Sequence, residues 1–311
     1  MAMGESPCLF SFHNHTRFFG KCTARQQRRG TSGWREGPSS AIMGKREGGR
    51  TVARLGMPSL PLLGGLDAHA RLCLELGLSF VELNMNLPAF HASALDASAL
   101  RAWMRQGVDF TLHLDERLDP MDFNPLVAKA YLQTGVQAVA LAASLELPVV
   151  NMHLPRGVYF TLPAQRLYLY QAQPAPCLEA LARFRDEMER AASGRVRVCV
   201  ENTSGFTGFE RQCLELLLQS PAFGLCLDVG HDRCTGGQDG RWMLEREGRL
   251  GHMHLHDVLH RRDHLALGQG EVDVSACLAL AERLGLGCVV EVKEAQSLRD
   301  SLLYLRGLGK I

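Results

Sequence analysis

Seven acidic and histidine side chains fall at the ends of apolar, β-branched runs in this chain: His113 in FTLHLD, His153 in VVNMHLP, Glu201 in VCVENT, Asp228 and His231 in LCLDVGHD, His254 in GHMHLHD and Glu291 in VVEVK. Each is a residue type that ligates a divalent cation or carries a proton. Glu201, Asp228, His254 and Glu291 together supply three carboxylates and one imidazole. That set suits Mg²⁺, Mn²⁺, Co²⁺ or Zn²⁺, with coordination positions left for substrate oxygens. His231 follows Asp228 across Gly230, which permits a sharp turn and lets both side chains face one pocket. His252, His254 and His256 share one face of a strand at depths about 6.6 Å apart. His254 is the expected ligand, His252 a satisfied buried histidine, and His256 a residue behind the ligand. Asp263 and His264, in RRDHLALGQGEVD, form a second candidate pair.

The elements that must position these groups alternate along the chain. Apolar strand-like runs lie near 51–56, 79–84, 109–114, 148–153, 196–202, 223–229, 251–256 and 287–292. Between them come amphipathic stretches such as LDAHARLCLELGL, FNPLVAKAYLQTGVQAVALAASLEL, APCLEALARFRDEMERAASG and VSACLALAERLGLG, and SLRDSLLYLRGLG closes the series. This alternation argues for βαβ units and a parallel sheet. An open doubly wound sheet also fits the alternation, but a phosphate-cradling glycine motif is missing here, and eight strands close more naturally. Donors gathered from the C-terminal ends of many strands point to an α/β fold of the (β/α)8 TIM barrel type over 51–311. The longest connections, DERLDPMDFNP and PRGVYFTLPAQRLYLYQAQPAP, then fall on the catalytic face. Tyr159, Phe160, Tyr168 and Tyr170 in the second either close over a substrate or pack on the rim.

Residues 1–50 are Gly/Ser/Arg-rich and show no helix or strand period, so they are expected to be a disordered basic extension. Met43 or Met57 would also serve as a start. Cys8, His13, His15 and Cys22 lack zinc-finger spacing. The extension holds nine Lys/Arg against three Asp/Glu, leaving 25 against 30 in the body, a net of −5. An acidic body disfavours non-specific binding to nucleic acid phosphates. Scattered cysteines without a CxxC pair read as reduced buried thiols and a cytoplasmic setting. No apolar run reaches the roughly 18 residues of a membrane span. Composition fixes no oligomeric state and leaves a homo-oligomer open.

From about Arg54 to Leu308 the chain resembles the xylose isomerase-like TIM barrel superfamily, which includes sugar phosphate isomerases/epimerases and endonuclease IV. The resemblance rests on LGLSFVELN, VCVENT, LCLDVGH, HLHD followed by DHLALGQGEVD, and VVEVK. In the isomerase branch it implies one divalent metal on Glu201, Asp228, His254 and Glu291. A sugar, sugar phosphate or related carbohydrate-like substrate would react through a metal-stabilised enediolate, Glu201 and Glu291 exchanging the proton as base and acid. His231 would bind a substrate hydroxyl, and His113, His153, Arg156 and His256 are further candidate substrate contacts. In the endonuclease IV branch it implies several zinc ions and phosphodiester hydrolysis, adding His113, His153, His231 and His264 as ligands. There the family's Asp-x-His is only partly kept, because Arg262 stands at the aspartate position and Asp263 is displaced by one. Recognisable DNA-inserting loops are also missing. The isomerase/epimerase reading is therefore the leading expectation, with a polynuclear phosphodiesterase and a non-catalytic sugar-binding barrel as alternatives. Arg117, Arg156, Arg261 and Arg262 lie on catalytic-face loops and are suited to a phosphate or carboxylate.

Overall fold

Eight short strands form a closed, all-parallel barrel in a computed structural model that describes residues 46–47, 50–51 and 53–311. They are β1 (Arg54–Pro58), β2 (Phe80–Asn84), β3 (Asp109–His113), β4 (Val149–His153), β5 (Arg197–Glu201), β6 (Phe223–Asp228), β7 (Leu250–Leu255) and β8 (Gly287–Val290). Each pairs with its sequence neighbours, and β8 pairs with β1 to close the ring. The expected spans hold closely except at the first, which begins at Arg54 rather than 51. Most of the extension over 1–50, with Cys8, His13, His15 and Cys22, lies outside the described residues. Of its end, a two-residue antiparallel pairing of Arg46–Glu47 with Arg50–Thr51 is described.

Helices α1 (Leu66–Leu76), α2 (Ala97–Met104), α3 (Pro125–Ser144), α4 (Pro174–Ala192), α5 (Gly208–Leu217), α6 (Gln238–Leu244), α7 (Val274–Leu284) and α8 (Ala295–Gly307) follow the strands in turn. Local chemistry sets their ends. Asn124 caps α3 by accepting from the N–H of Leu126, with Pro125 opening the helix. Thr207 and Glu210 form a reciprocal capping box on α5.

Side chains alternate along each strand. One set, including Val81, Leu83, Phe110, Leu112, Val150 and Met152, is buried in the main core. The interior of the barrel instead carries small or polar groups, with Val149, Cys199 and Cys226 as its own apolar cluster. At the N-terminal end Phe80 occupies the space beside Gly56, where a Cβ would come within 2.4 Å of the ring. Arg54 pairs with Asp109 at the same end. The cysteines among the described residues are free thiols, most of them buried. No helix among the described residues is long and apolar enough to cross a membrane.

Two of the loops at the C-terminal end carry hairpins of their own. After β4, Tyr159–Thr161 pairs antiparallel with Arg166–Tyr168. After β7, Asp257–Leu259 pairs with Arg262–Leu265. In the first of these, Tyr170 packs inward and donates to Asp119 Oδ2 at 2.7 Å, while Tyr159 and Phe160 remain 43% and 57% exposed.

Candidate metal centre

At the C-terminal end of the barrel Glu201, Asp228, His254 and Glu291 each offer one donor atom, and these atoms lie within 4.8 Å of one another. Their positions follow from the strands: Glu201 and Asp228 are the last residues of β5 and β6, His254 is the penultimate residue of β7, and Glu291 directly follows β8. Glu291 is held there because its N–H donates to the carbonyl of Leu255 at 3.0 Å. His254 Nδ1 lies 3.2 Å from Glu201 Oε2 and 3.0 Å from Glu291 Oε2.

The donor atoms fit a cation. Asp228 Oδ2, His254 Nδ1 and Glu291 Oε2 are buried without hydrogen-bond partners, and all three face the same point. Buried polar atoms are costly when unpaired, so such convergence is the arrangement a cation satisfies. Asp228 is oriented from three sides. Its Oδ1 accepts the N–H of His231 at 2.6 Å, while the Asn202 amide accepts its backbone N–H and donates to its carbonyl, both at 2.9 Å.

A floor of polar groups lies under the quartet. Glu82 of β2 places Oε1 2.8 Å from His254 Nε2 and accepts through Oε2 from His252 Nε2 at 3.0 Å and from Thr111 Oγ1 at 3.1 Å. A carboxylate against one imidazole nitrogen leaves the other, His254 Nδ1, to ligate. Burial alone would raise the Glu82 pKa, but His254 and His252 outweigh it and hold the carboxyl well below the usual range. Asn151 of β4 donates to Glu201 Oε2 at 2.5 Å. Sequence reasoning passed over Glu82, Asn151 and Asn202. The available signal was polar residues at inward positions of otherwise apolar strands, FVELN and VVNMH.

Two imidazole groups flank the quartet. His113 and His153 place Nε2 at 3.4 and 3.6 Å from the two oxygens of Glu201. His113 Nδ1 donates to the carbonyl of Leu114 at 2.8 Å, so its Nε2 is the ligand-capable atom. Despite burial, the Glu201 carboxylate lifts the His113 pKa to about 9. His231 is likewise opposed by burial and raised to about 9 by Glu201 and Asp228. Sites that hold protons this firmly also favour cations. On the other flank His231, His256 and His264 cluster within 4.8 Å.

Other polar groups lie behind, beside or outside the quartet. Arg156 pins the loop after β5, donating to Glu210 Oε1 at 2.9 Å and to the carbonyls of Ser204 and Gly205, rather than facing the quartet. His256 has no exposed surface. Arg117 is 85% exposed beside Asp115, and Arg261 and Arg262 are exposed. Asp263 sits 3.2 Å from His264 Nδ1. Lys293 Nζ bonds Glu291 Oε1 at 2.7 Å. The loop carrying His264 hangs on buried Asp257, whose carboxylate accepts four backbone N–H groups, from Val258, Gly268, Gly270 and Val272.

A closed parallel barrel with candidate donors gathered at its C-terminal rim defines a (β/α)8 barrel. The family model described as "Xylose isomerase-like TIM barrel" matches residues 70–308, and the chain belongs to that family. Among solved structures, a D-tagatose 3-epimerase-like protein is similar at 18% identity and TM-score 0.66, covering 82% of this chain and 97% of its own. The 3-keto-D-glucoside 4-epimerase from E. coli is 15% identical with TM-score 0.66, covering 82% and 99%. An L-ribulose 3-epimerase is 17% identical with TM-score 0.63, covering 83% and 95%. Likeness at these identities shows that the chain shares the fold of sugar epimerases. No curated protein matches the sequence.

Proposed function

We propose that this barrel is a polynuclear, divalent-metal-dependent phosphodiester hydrolase in which Glu201 joins two cation positions. The observation that carries the reading is that Glu201 belongs both to the quartet and to the His113–His153 group. His113 is only 5% exposed, with Nε2 aimed at Glu201, which suits a ligand better than a substrate contact. The imidazole-rich group favours zinc among the candidate ions. Bound cations would supply charge for phosphoryl oxygens and acidify an attacking water. Asp228 and Glu291 hold the donor geometry, and Lys293, 56% exposed beside Glu291, is placed to meet a substrate anion.

A single-metal sugar isomerase or epimerase is the second reading. It is favoured by Glu201 and Glu291 standing on two sides of His254 Nδ1, where they could take and return a proton, and by the epimerase fold. Metal analysis of protein purified without chelator separates the two. Two or more zinc ions per chain, with cleavage of bis(p-nitrophenyl) phosphate abolished in His113→Ala, is the expected result. One ion per chain retained in His113→Ala, with solvent deuterium entering a ketose, would overturn the hydrolase in favour of the isomerase.

A further inference from the structure

The cluster of His231, His256 and His264 has the look of a three-imidazole metal site, yet the hydrogen bonding of His256 argues otherwise. The backbone N–H of His264 donates to His256 Nδ1 at 2.8 Å. A ring nitrogen that accepts from an N–H carries no proton, so in the neutral imidazole the proton sits on Nε2. Nδ1 also lies 3.4 Å from the carbonyl of Asp257, a longer contact than the 2.8 Å bond it accepts, and Nε2 lies 3.1 Å from Asp228 Oδ1, within charge-attraction distance but without hydrogen-bond alignment. With a proton on Nε2 and an acceptor bond on Nδ1, His256 has no lone pair left for a metal.

Its surroundings hold it in that state. One face of the ring lies on the backbone at Gly230, where a Cβ would come within 2.0 Å of Cε1. The His264 ring is stacked against it at 4.3 Å and 8°. The donating N–H belongs to His264 itself, in a left-handed conformation at φ 53° that a non-glycine residue seldom adopts. The seventh loop thus spends backbone strain to aim that N–H at His256, and the sixth loop uses a glycine to admit the ring.

We infer that His256 is a positioning residue, locked against Gly230 and His264 as the Nε2–H tautomer, which sets the Asp228 carboxylate rather than ligating a metal. Asp228 Oδ1 faces the His231 N–H and the His256 Nε2–H, so Oδ2 is turned to the quartet. The inference rests on the metal-site reading for its consequence but not for the tautomer.

Long-range ¹H–¹⁵N spectra of the imidazoles test the tautomer in the full chain, both metal-free and zinc-loaded, with His256→Gln used to assign the signal. A protonated Nε2 and an unprotonated Nδ1 are expected in both states. An Nδ1–H tautomer, or an Nε2 shifted by zinc, overturns the inference whether or not the enzyme reading stands. For the consequence, zinc affinity is measured by chelator competition on the wild type, His256→Ala, His256→Gln and Gly230→Ala. Truncation at His256 and the added methyl at Gly230 should each weaken zinc about 10–100-fold with the ion count unchanged. Gln, which retains an acceptor and a donor, should recover part of that loss. Loss of one ion per chain in His256→Ala would make His256 a ligand, and unchanged affinity in both His256→Ala and Gly230→Ala would remove the positioning role. A wild type that binds no metal would instead defeat the proposed function while leaving the tautomer result standing.

Discussion

Glu82, Asn151 and His252 lie beneath the quartet on strands, at 3%, 0% and 1% exposure, whereas Lys293, Tyr159 and Phe160 are carried by loops at 56%, 43% and 57%. Beneath the quartet, the polar groups of Glu82 and Asn151 contact a proposed ligand. On the loops the aromatic groups have no such commitment: Tyr159 meets Tyr168 and Arg166, and Phe160 is largely in solvent. Burial makes an unpaired polar group expensive, and although Asn151 Oδ1 and His252 Nδ1 have no hydrogen-bond partner, each of these side chains is fixed by a bond from its other polar atom, to Glu201 and to Glu82. The loop groups carry no such penalty and are free to vary with the substrate.

Removing Glu82 should break the floor hardest. Glu82→Ala leaves His252 and His254 facing each other at 5.4 Å between ring centres without their carboxylate. A buried polar group left without its partner costs about 1–3 kcal/mol, and two imidazoles and the Thr111 hydroxyl lose theirs here. Denaturant unfolding should therefore show a large loss of stability, and metal affinity should fall about 10–100-fold as the His254 ring loses its orientation. Full stability together with unchanged affinity would mean that the floor does not support the centre.

Acidity gives the next largest effect and has the opposite sign from a buried carboxylate. His113 and His231 are raised from 6.5 to about 9 in the folded chain. A group whose folded pKa is raised contributes stability that is complete below its unfolded value and is lost as pH rises through its folded value. The metal-free protein should accordingly lose melting temperature between pH 6.5 and about 9. Metal affinity should rise over the same range, because a ligating imidazole must shed its proton. A flat melting profile in chelated protein would show that the carboxylates do not hold those protons.

What could be read in advance divides along the same line. The strands and the quartet were legible because an acidic or imidazole group at the end of an apolar run is conspicuous, and parallel strands deliver such groups to one end. Glu82 and Asn151 were overlooked because a polar residue inside a strand looks like an exception until the opposite strand supplies its partner. The partner of Glu82 is His252, 170 residues away. Arg156 looked like an anion grip for the same reason, since nothing near it in sequence discloses Glu210, 54 positions on. Helices α2, α5 and α6 are 8, 10 and 7 residues long, too short to display a clear period. Tautomers and stacking, as at His256, depend on loop conformation and have no signature in composition.

The smallest effect is expected where the two long loops meet. Tyr170 is 1% exposed and its hydroxyl donates to Asp119 Oδ2 at 2.7 Å, tying the loop after β4 to the loop after β3. Gly157, at φ 69°, lets the chain pass the ring, since a Cβ there would come within 2.5 Å of Cε2. Tyr170→Phe keeps the packing and removes one bond, and Asp119 retains its acceptance from the Met121 N–H at 3.0 Å. The loss should be about 1 kcal/mol in unfolding free energy. Metal content should not change, because neither loop residue touches a proposed ligand. A fall in metal content would show that the loops and the floor share one cooperative unit, and the division between them would then fail at its weakest predicted joint.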